Sequence, residues 1–105
     1  MPKESVIQAD ILDWLNRQRE TWAVPYLGSM YTTAGVPDIL CCHEGIFVAL
    51  EVKIEGEVPR PLQMVRMAEI RGAGGWAGVV RSIEDAKEAL VEARMPPTPA
   101  QYTGG

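Results

Sequence analysis

The sequence predicts one mixed α/β domain, in which helices flank a mixed sheet that contains a hairpin. A chain of 105 residues suits one compact domain. Its 47% hydrophobic and 23% charged residues are ordinary values for a globular protein. Helical and strand periodicities alternate along the chain in the order α-β-β-β-α-β-α. We place the domain at residues 1–94 and expect a loose Pro/Gly-rich tail at residues 95–105.

The first element is an amphipathic helix from Glu4 to about Arg19. Ile7, Ile11 and Leu15 recur at three- and four-residue spacing, which is the period of a helix with one buried face. Glu4 falls on the same helical line as Ile11 and Leu15. Its carboxylate is therefore expected at the first turn, above the face that meets the core.

A hairpin is the centre of the predicted sheet. A short first strand is predicted over Tyr26–Thr32, followed by a turn at Gly35–Asp38. The apolar runs Ile39–Cys42 and Ile46–Lys53 are separated only by His43–Gly45, and this pattern predicts two antiparallel strands joined by a tight turn.

Proline and serine mark where the remaining helices begin. Pro61 suits the first turn of a helix that continues to Ile70. The run Trp76–Val80 is a short apolar strand. Ser82, with Asp85 three residues later, is a capping pattern that begins a last helix over Ile83–Arg94.

Composition excludes several classes of protein. The only cysteines, Cys41 and Cys42, are adjacent and cannot pair without strain, so we expect reduced thiols and a cytoplasmic protein. His43 is the only histidine, which argues against a zinc site. No apolar run is long enough for a bilayer, so no membrane partner is expected. A net charge of −4 argues against nucleic-acid binding by bulk positive charge.

The hairpin brings charged residues together. In the predicted register the numbers of opposed residues sum to 88 or 89, so Asp38 lies opposite Leu50 or Glu51. Glu51 and Lys53 share one strand face, two residues apart. The alternate face is uniformly apolar and is expected in the core: Ile46, Val48, Leu50 and Val52.

Paired carboxylates on one face favour a bound cation. Asp38 and Glu51 would repel each other unless one is protonated or a cation lies between them. Oxygen ligands suit a hard divalent ion such as Mg²⁺ or Mn²⁺. Taken alone, Glu51 and Lys53 would be read as a surface ion pair. The combination with Asp38 favours a site in which Lys53 orients water or stabilises charge on a phosphate.

These segments resemble the PD-(D/E)xK nucleases, and in detail their VRR-NUC branch. Gly35–Leu40 is similar to the family's Gly-hydrophobic-Pro-Asp segment, and Leu50–Lys53 is similar to its Glu-Val-Lys strand. Pro61–Gln63 matches the Pro-x-Gln that follows, and Gly74–Val80 matches the glycine-led last strand. Glu4 matches the acidic residue of the first helix. Standalone domains of this kind are typical of phages and bacteria.

The resemblance implies a restriction-endonuclease-like fold, with an α-β-β-β-α-β core, and a metal-dependent nuclease that hydrolyses phosphodiester bonds. The residues that it marks as catalytic are Glu4, Asp38, Glu51, Lys53 and Gln63. Asp38 and Glu51 would bind Mg²⁺ or Mn²⁺, with the backbone carbonyl of Val52 as a further ligand. Lys53 would be the catalytic lysine, and Glu4 and Gln63 would support the water, the metal or the phosphate.

The expected partner is DNA in branched form, as in four-way (Holliday) junctions, bound by a homodimer. Between Val58 and Ile83 the sequence has one acid and four arginines, namely Arg60, Arg66, Arg71 and Arg81. These arginines lie either along a DNA backbone or on a solvated helix face. The aromatic segment Trp22–Tyr31 is the first candidate for a dimer surface. Two alternatives stay open: a nuclease-fold module that binds DNA without cutting, and a small phage protein-interaction factor.

Overall fold

A computed structural model describes residues 2–96 of the chain. Three helices and four strands follow one another in the predicted order. They are α1 (Glu4–Asn16), β1 (Thr21–Pro25), β2 (Ile39–His43), β3 (Ile46–Val52), α2 (Pro61–Gly72), β4 (Trp76–Val80) and α3 (Ile83–Arg94). The predicted mixed sheet flanked by helices is confirmed.

The sheet has the strand order β1-β2-β3-β4. β1, β2 and β3 are antiparallel neighbours, whereas β4 lies parallel to β3. Glu44 and Gly45 join β2 to β3 with φ values of 50° and 80°, the left-handed pair that a two-residue hairpin turn requires. Ile39 pairs with Leu50 and His43 with Ile46, so the predicted register that sums to 89 is the observed one.

Helices cover both faces of the sheet. α1 and α3 enclose the larger core, in which Leu15 contacts the apolar face of β3 and is fully buried. α2 covers the opposite face, where Met67 packs against Ala49 and Ala77. On this face of β3 Glu51 is only 1% exposed, so its carboxylate lies out of solvent.

Two predicted elements are wrong in their positions. The first strand is Thr21–Pro25 and not Tyr26–Thr32, and α1 ends at Asn16 and not at Arg19. One side chain accounts for both differences. The amide of Asn16 accepts a hydrogen bond from the Ala23 N–H and donates one to the Ala23 carbonyl, each at 2.9 Å. This contact ends the helix and fixes the following chain as an edge strand.

The last helix ends at Arg94, as predicted. Most of the predicted tail, residues 97–105, lies outside the described part of the chain. Cys41 is buried and Cys42 is exposed, and both thiols are free. Among residues 2–96, no helix has the length and apolar character needed to cross a bilayer.

Candidate metal centre

Asp38 and Glu51 lie at the end of the hairpin opposite its tip. Asp38 comes directly before β2, one step beyond the pair formed by Ile39 and Leu50, and the continued register sets it against Glu51. Its Oδ2 accepts a hydrogen bond of 2.8 Å from the Val52 N–H. This bond holds the Asp38 carboxylate against the last residues of β3.

Glu51 is a buried carboxylate without hydrogen-bond partners. It is 1% exposed, and neither Oε1 nor Oε2 has a partner among the described residues. Lys53 is its nearest opposite charge, with Nζ 3.9 Å from Oε2. Because a buried polar atom without a partner costs roughly 1–3 kcal/mol, and more when charged, a fold does not leave two such atoms without compensation.

The electrostatic environment of Glu51 opposes its ionisation. The pKa of Glu51 is raised to about 7; burial is the largest cause, the negative charges of Asp38 and Glu4 act in the same direction, and Lys53 opposes them. A cation beside the two carboxylates would remove this penalty, since it favours their charged forms. The environment of Glu51 would therefore favour a positive ion beside it.

The donor set fits a hard divalent cation. Among residues 2–96, no group of three or more His, Cys, Asp or Glu side chains is arranged to hold a metal. An ion here would rest on two carboxylates, with the Val52 carbonyl and waters as its other ligands. Mg²⁺ commonly binds through one or two carboxylates and keeps several waters, and Mn²⁺ accepts the same oxygen donors.

Lys53 is placed by the backbone of two strands. Its N–H donates to the Val80 carbonyl at 3.1 Å, and its side chain is only 11% exposed. The segment after it is anchored by Arg81, whose guanidinium donates to the carbonyls of Ile54 and Glu57. These contacts fix the backbone on both sides of Lys53, whose Nζ lies 3.9 Å from Glu51 Oε2.

The two flanking candidates differ in their placement. Glu4 is half-buried in the first turn of α1, and its charge acts on Glu51, as the predicted helix geometry requires. Gln63 is buried, but its Oε1 accepts a hydrogen bond of 2.8 Å from the Arg60 N–H and thereby caps α2. The amide nitrogen of Gln63 and the second lone pair of Oε1 are left for a phosphate or a water.

Three of the four arginines bind backbone carbonyls. Arg66 donates to Ala34 at 2.9 Å, and Arg71 donates to Ala77 at 2.6 Å while it stacks over the Trp76 ring. Arg81 anchors the loop after Lys53, a role with no signal in the local sequence because its partners lie far away in the chain. Arg60 is exposed, and its guanidinium makes no hydrogen bond within the described residues.

Neither a protein-family model nor a curated protein matches this chain. Solved structures do match. A structure named VRR_NUC domain protein has a TM-score of 0.70 at 19% identity and covers 88% of each chain. A second, named VRR_NUC domain, has a TM-score of 0.70 at 24% identity and covers 90% of this chain and 100% of its own.

A third similar structure is Hjc, a Holliday junction resolvase from the archaeal hyperthermophile Archaeoglobus fulgidus. Its TM-score is 0.58 at 22% identity, over 74% of this chain and 67% of that one. At these identities the likeness concerns the fold. The predicted restriction-endonuclease-like fold, in the form found in VRR_NUC domain structures, is confirmed.

Proposed function

We propose that this protein is a Mg²⁺- or Mn²⁺-dependent nuclease that hydrolyses phosphodiester bonds in branched DNA, including four-way junctions. The observation that carries the proposal is Glu51, a buried carboxylate whose two oxygens lack partners beside the carboxylate of Asp38. A protein that used this fold only as a scaffold would gain stability from an apolar residue at position 51. A metal-dependent hydrolase needs the carboxylate.

Three residues would carry out the hydrolysis. Asp38 and Glu51 would hold the ion, which when bound polarises a phosphoryl oxygen and lowers the pKa of a coordinated water. Lys53 stabilises the extra negative charge that develops on the phosphate during attack. Its short distance from Glu51 and its low exposure keep the ammonium at the site, where the low dielectric strengthens its effect.

Branched DNA and a homodimer extend the proposal. One similar structure is named a Holliday junction resolvase. A domain with a radius of gyration of 13.3 Å and a net charge of −4 offers little DNA-binding surface around one site. A twofold dimer would set two equivalent sites on a junction that has approximate twofold symmetry.

An apolar row on the α2 side of the sheet is the candidate dimer surface. Trp22 pairs with Cys42, and Cys42 pairs with Phe47, so the three side chains lie side by side on one face. Trp22 is 63% exposed and Phe47 is 44% exposed. Aromatic side chains in such a row are enriched at interfaces between subunits.

A cleavage panel tests the proposal. The wild type and Glu51→Gln are incubated with four-way junctions, flaps, single strands and linear duplex, with Mg²⁺, with Mn²⁺ or with chelator. We expect metal-dependent cutting that favours junctions and is lost in Glu51→Gln. Binding without cutting by the wild type would identify a non-catalytic module, and the absence of both binding and metal-induced thermal stabilisation would favour a protein-interaction factor. Sedimentation equilibrium at micromolar concentration measures the dimer, which a clean monomer would contradict.

A further inference from the structure

The connection between β1 and β2 has an unusual composition in residues 26–37. The chain contains 10 basic and 14 acidic residues, yet none of them falls between Glu20 and Asp38. The β1–β2 loop joins Pro25 to Ile39 at the end of the sheet where Asp38 and Glu51 lie. An uncharged loop therefore borders the candidate metal centre.

Large apolar side chains of this loop point into solvent. Leu27 is 78% exposed, Met30 is 86% exposed and Tyr31 is 89% exposed. Single exposed apolar residues are common at protein surfaces, but three of them within five positions beside a catalytic site indicate a contact surface.

The exposed side chains stand on an ordered turn. Ser29 N–H donates to Thr32 Oγ1 at 2.7 Å, Thr32 N–H donates to the Ser29 carbonyl at 3.1 Å, and Tyr31 N–H donates to Ser29 Oγ at 3.2 Å. These bonds close the turn locally, so its backbone does not need a partner to be satisfied. Met30 and Tyr31 are held outward by the turn itself.

Hydrogen bonds anchor both ends of the loop. Tyr26 N–H donates to the Asp38 carbonyl at 2.8 Å, and Arg66 of α2 donates to the Ala34 carbonyl at 2.9 Å. Gly35 has a φ of +80°, and a Cβ there would lie 2.8 Å from Leu62 Cγ, so only glycine lets the loop approach α2. The loop of residues 26–37, which we call the prong, is thus fixed next to the candidate metal centre, on the side of α2.

The composition of the prong determines which part of a DNA molecule it can contact. Without a positive charge it cannot neutralise phosphates, whereas an aromatic ring flanked by apolar side chains offers a face on which a base can stack. We propose that Tyr31, with Leu27 and Met30 beside it, stacks on unpaired bases at the branch point and makes the enzyme prefer branches that expose them. This inference rests on the proposed nuclease function and adds the feature of DNA that the site selects.

Binding to matched substrates tests the proposal. Three DNAs are compared: a fully paired four-way junction, the same junction with two unpaired nucleotides at the branch, and a linear duplex. Tyr31→Ala and Tyr31→Phe are made in the Glu51→Gln background, so that DNA is bound and not cut. Val91→Ala serves as the control, since Val91 is 46% exposed on α3. Wild-type cleavage is measured in parallel.

We expect Tyr31→Ala to raise the Kd for the junction with unpaired bases by about fivefold to a hundredfold, the effect of losing one base–aromatic stack. Tyr31→Phe and Val91→Ala should bind within twofold of the parent, and Tyr31→Ala should bind linear duplex as the parent does. Equal losses on all three DNAs, or no loss on any, would overturn the proposal even if the wild type cuts normally. Conversion of a dimer to a monomer by Tyr31→Ala would overturn it by assigning the prong to the subunit interface. A wild type that neither binds nor cuts DNA would instead overturn the proposed function, and this inference with it.

Discussion

The two ends of the β2–β3 hairpin each bury a titratable side chain, but only one of the two side chains has its hydrogen bonds satisfied. At the tip, His43 is 4% exposed, and both of its ring nitrogens are hydrogen-bonded. At the far end, Glu51 is 1% exposed, and neither carboxylate oxygen has a partner. Since both residues belong to the same hairpin, the difference lies in the partners that the surrounding chain offers at each end.

The network at the tip is closed within the protein. The Thr21 hydroxyl donates to the Arg19 carbonyl, so its oxygen accepts from Nδ1–H of His43 at 2.7 Å. Nε2 of His43 then accepts from Arg94 NH1 at 2.6 Å. Burial lowers the pKa of His43, Arg94 lowers it further, and the carboxylates of Glu44 and Glu20 oppose this shift. Every polar atom of this neutral imidazole is used to join β1, β2 and α3.

The two ends of the hairpin thus hold two kinds of buried polar group. Satisfied groups, as at His43, stabilise one arrangement of the chain. Unsatisfied buried groups, as at Glu51, destabilise it, and departures of this kind are expected at functional sites. Changes at the candidate metal centre should therefore alter activity, and changes at the tip should alter stability.

The largest effect is expected from the carboxylates of the candidate metal centre. Asp38→Asn or Glu51→Gln should lower kcat by at least about a thousandfold, because a metal ion supplies several kcal/mol of charge stabilisation in the transition state. Both variants should fold, which circular dichroism checks, and Glu51→Gln should be the more stable at neutral pH. Normal cleavage by either variant would contradict the assignment of the metal ligands.

Loss of the ammonium should affect turnover more than metal binding. Lys53→Ala should lower kcat by about 10²–10³, the usual effect of removing one electrostatic donor from a transition state. Calorimetric titration should give a Mg²⁺ affinity close to that of the wild type, and Lys87→Ala, an exposed lysine on α3, is the matched control. A decrease of less than threefold would make Lys53 a structural ion-pair residue.

The stability of the metal-free protein should fall as pH rises. The folded pKa of Glu51, about 7, lies above its ordinary value of 4.5, so the folded state holds a proton that the unfolded state has released. The destabilisation begins near pH 4.5, is complete above pH 7 and amounts to roughly 3 kcal/mol. Urea unfolding in chelator at pH 5 and pH 7.5 measures it. Glu51→Gln and saturating Mg²⁺ should each remove this fall in stability, and an equal fall in Glu51→Gln would assign it to another group.

The hairpin and the position of Glu51 were predictable because their signals are local. A two-residue turn sets the register, and the alternation of side chains along β3 places Glu51 and Lys53 on one face. No such signal marks β1, in which only Ala23 is buried. Its position depends on pairing with β2 and on the amide of Asn16, contacts that span the fold.

The roles of buried polar residues were less predictable for the same reason. Gln63 matches a motif, yet which of its atoms remain free depends on the cap it forms with Arg60. Arg81 contacts a carbonyl 27 residues away, and His43 contacts Arg94 across 51 residues. A sequence pattern can mark a residue as polar and buried, but only the assembled fold shows whether its hydrogen bonds are made.

The smallest expected change in activity belongs to the tip. His43→Ala should lower the free energy of unfolding by about 1–3 kcal/mol, because it leaves Arg94 and the Thr21 hydroxyl without their buried partner. Cleavage at a temperature where the variant is folded should stay within twofold of the wild type, since the tip lies at the opposite end of the hairpin from Glu51.

The lowered pKa of His43 determines in which direction stability changes with pH. The unfolded chain binds a proton near pH 6.5 that the folded protein does not. The contribution of His43 to stability is therefore complete above pH 6.5 and is lost as pH falls below it, opposite to the trend from Glu51. Unfolding curves of Glu51→Gln isolate this trend, and its persistence in the double variant Glu51→Gln/His43→Ala would show that another group carries it.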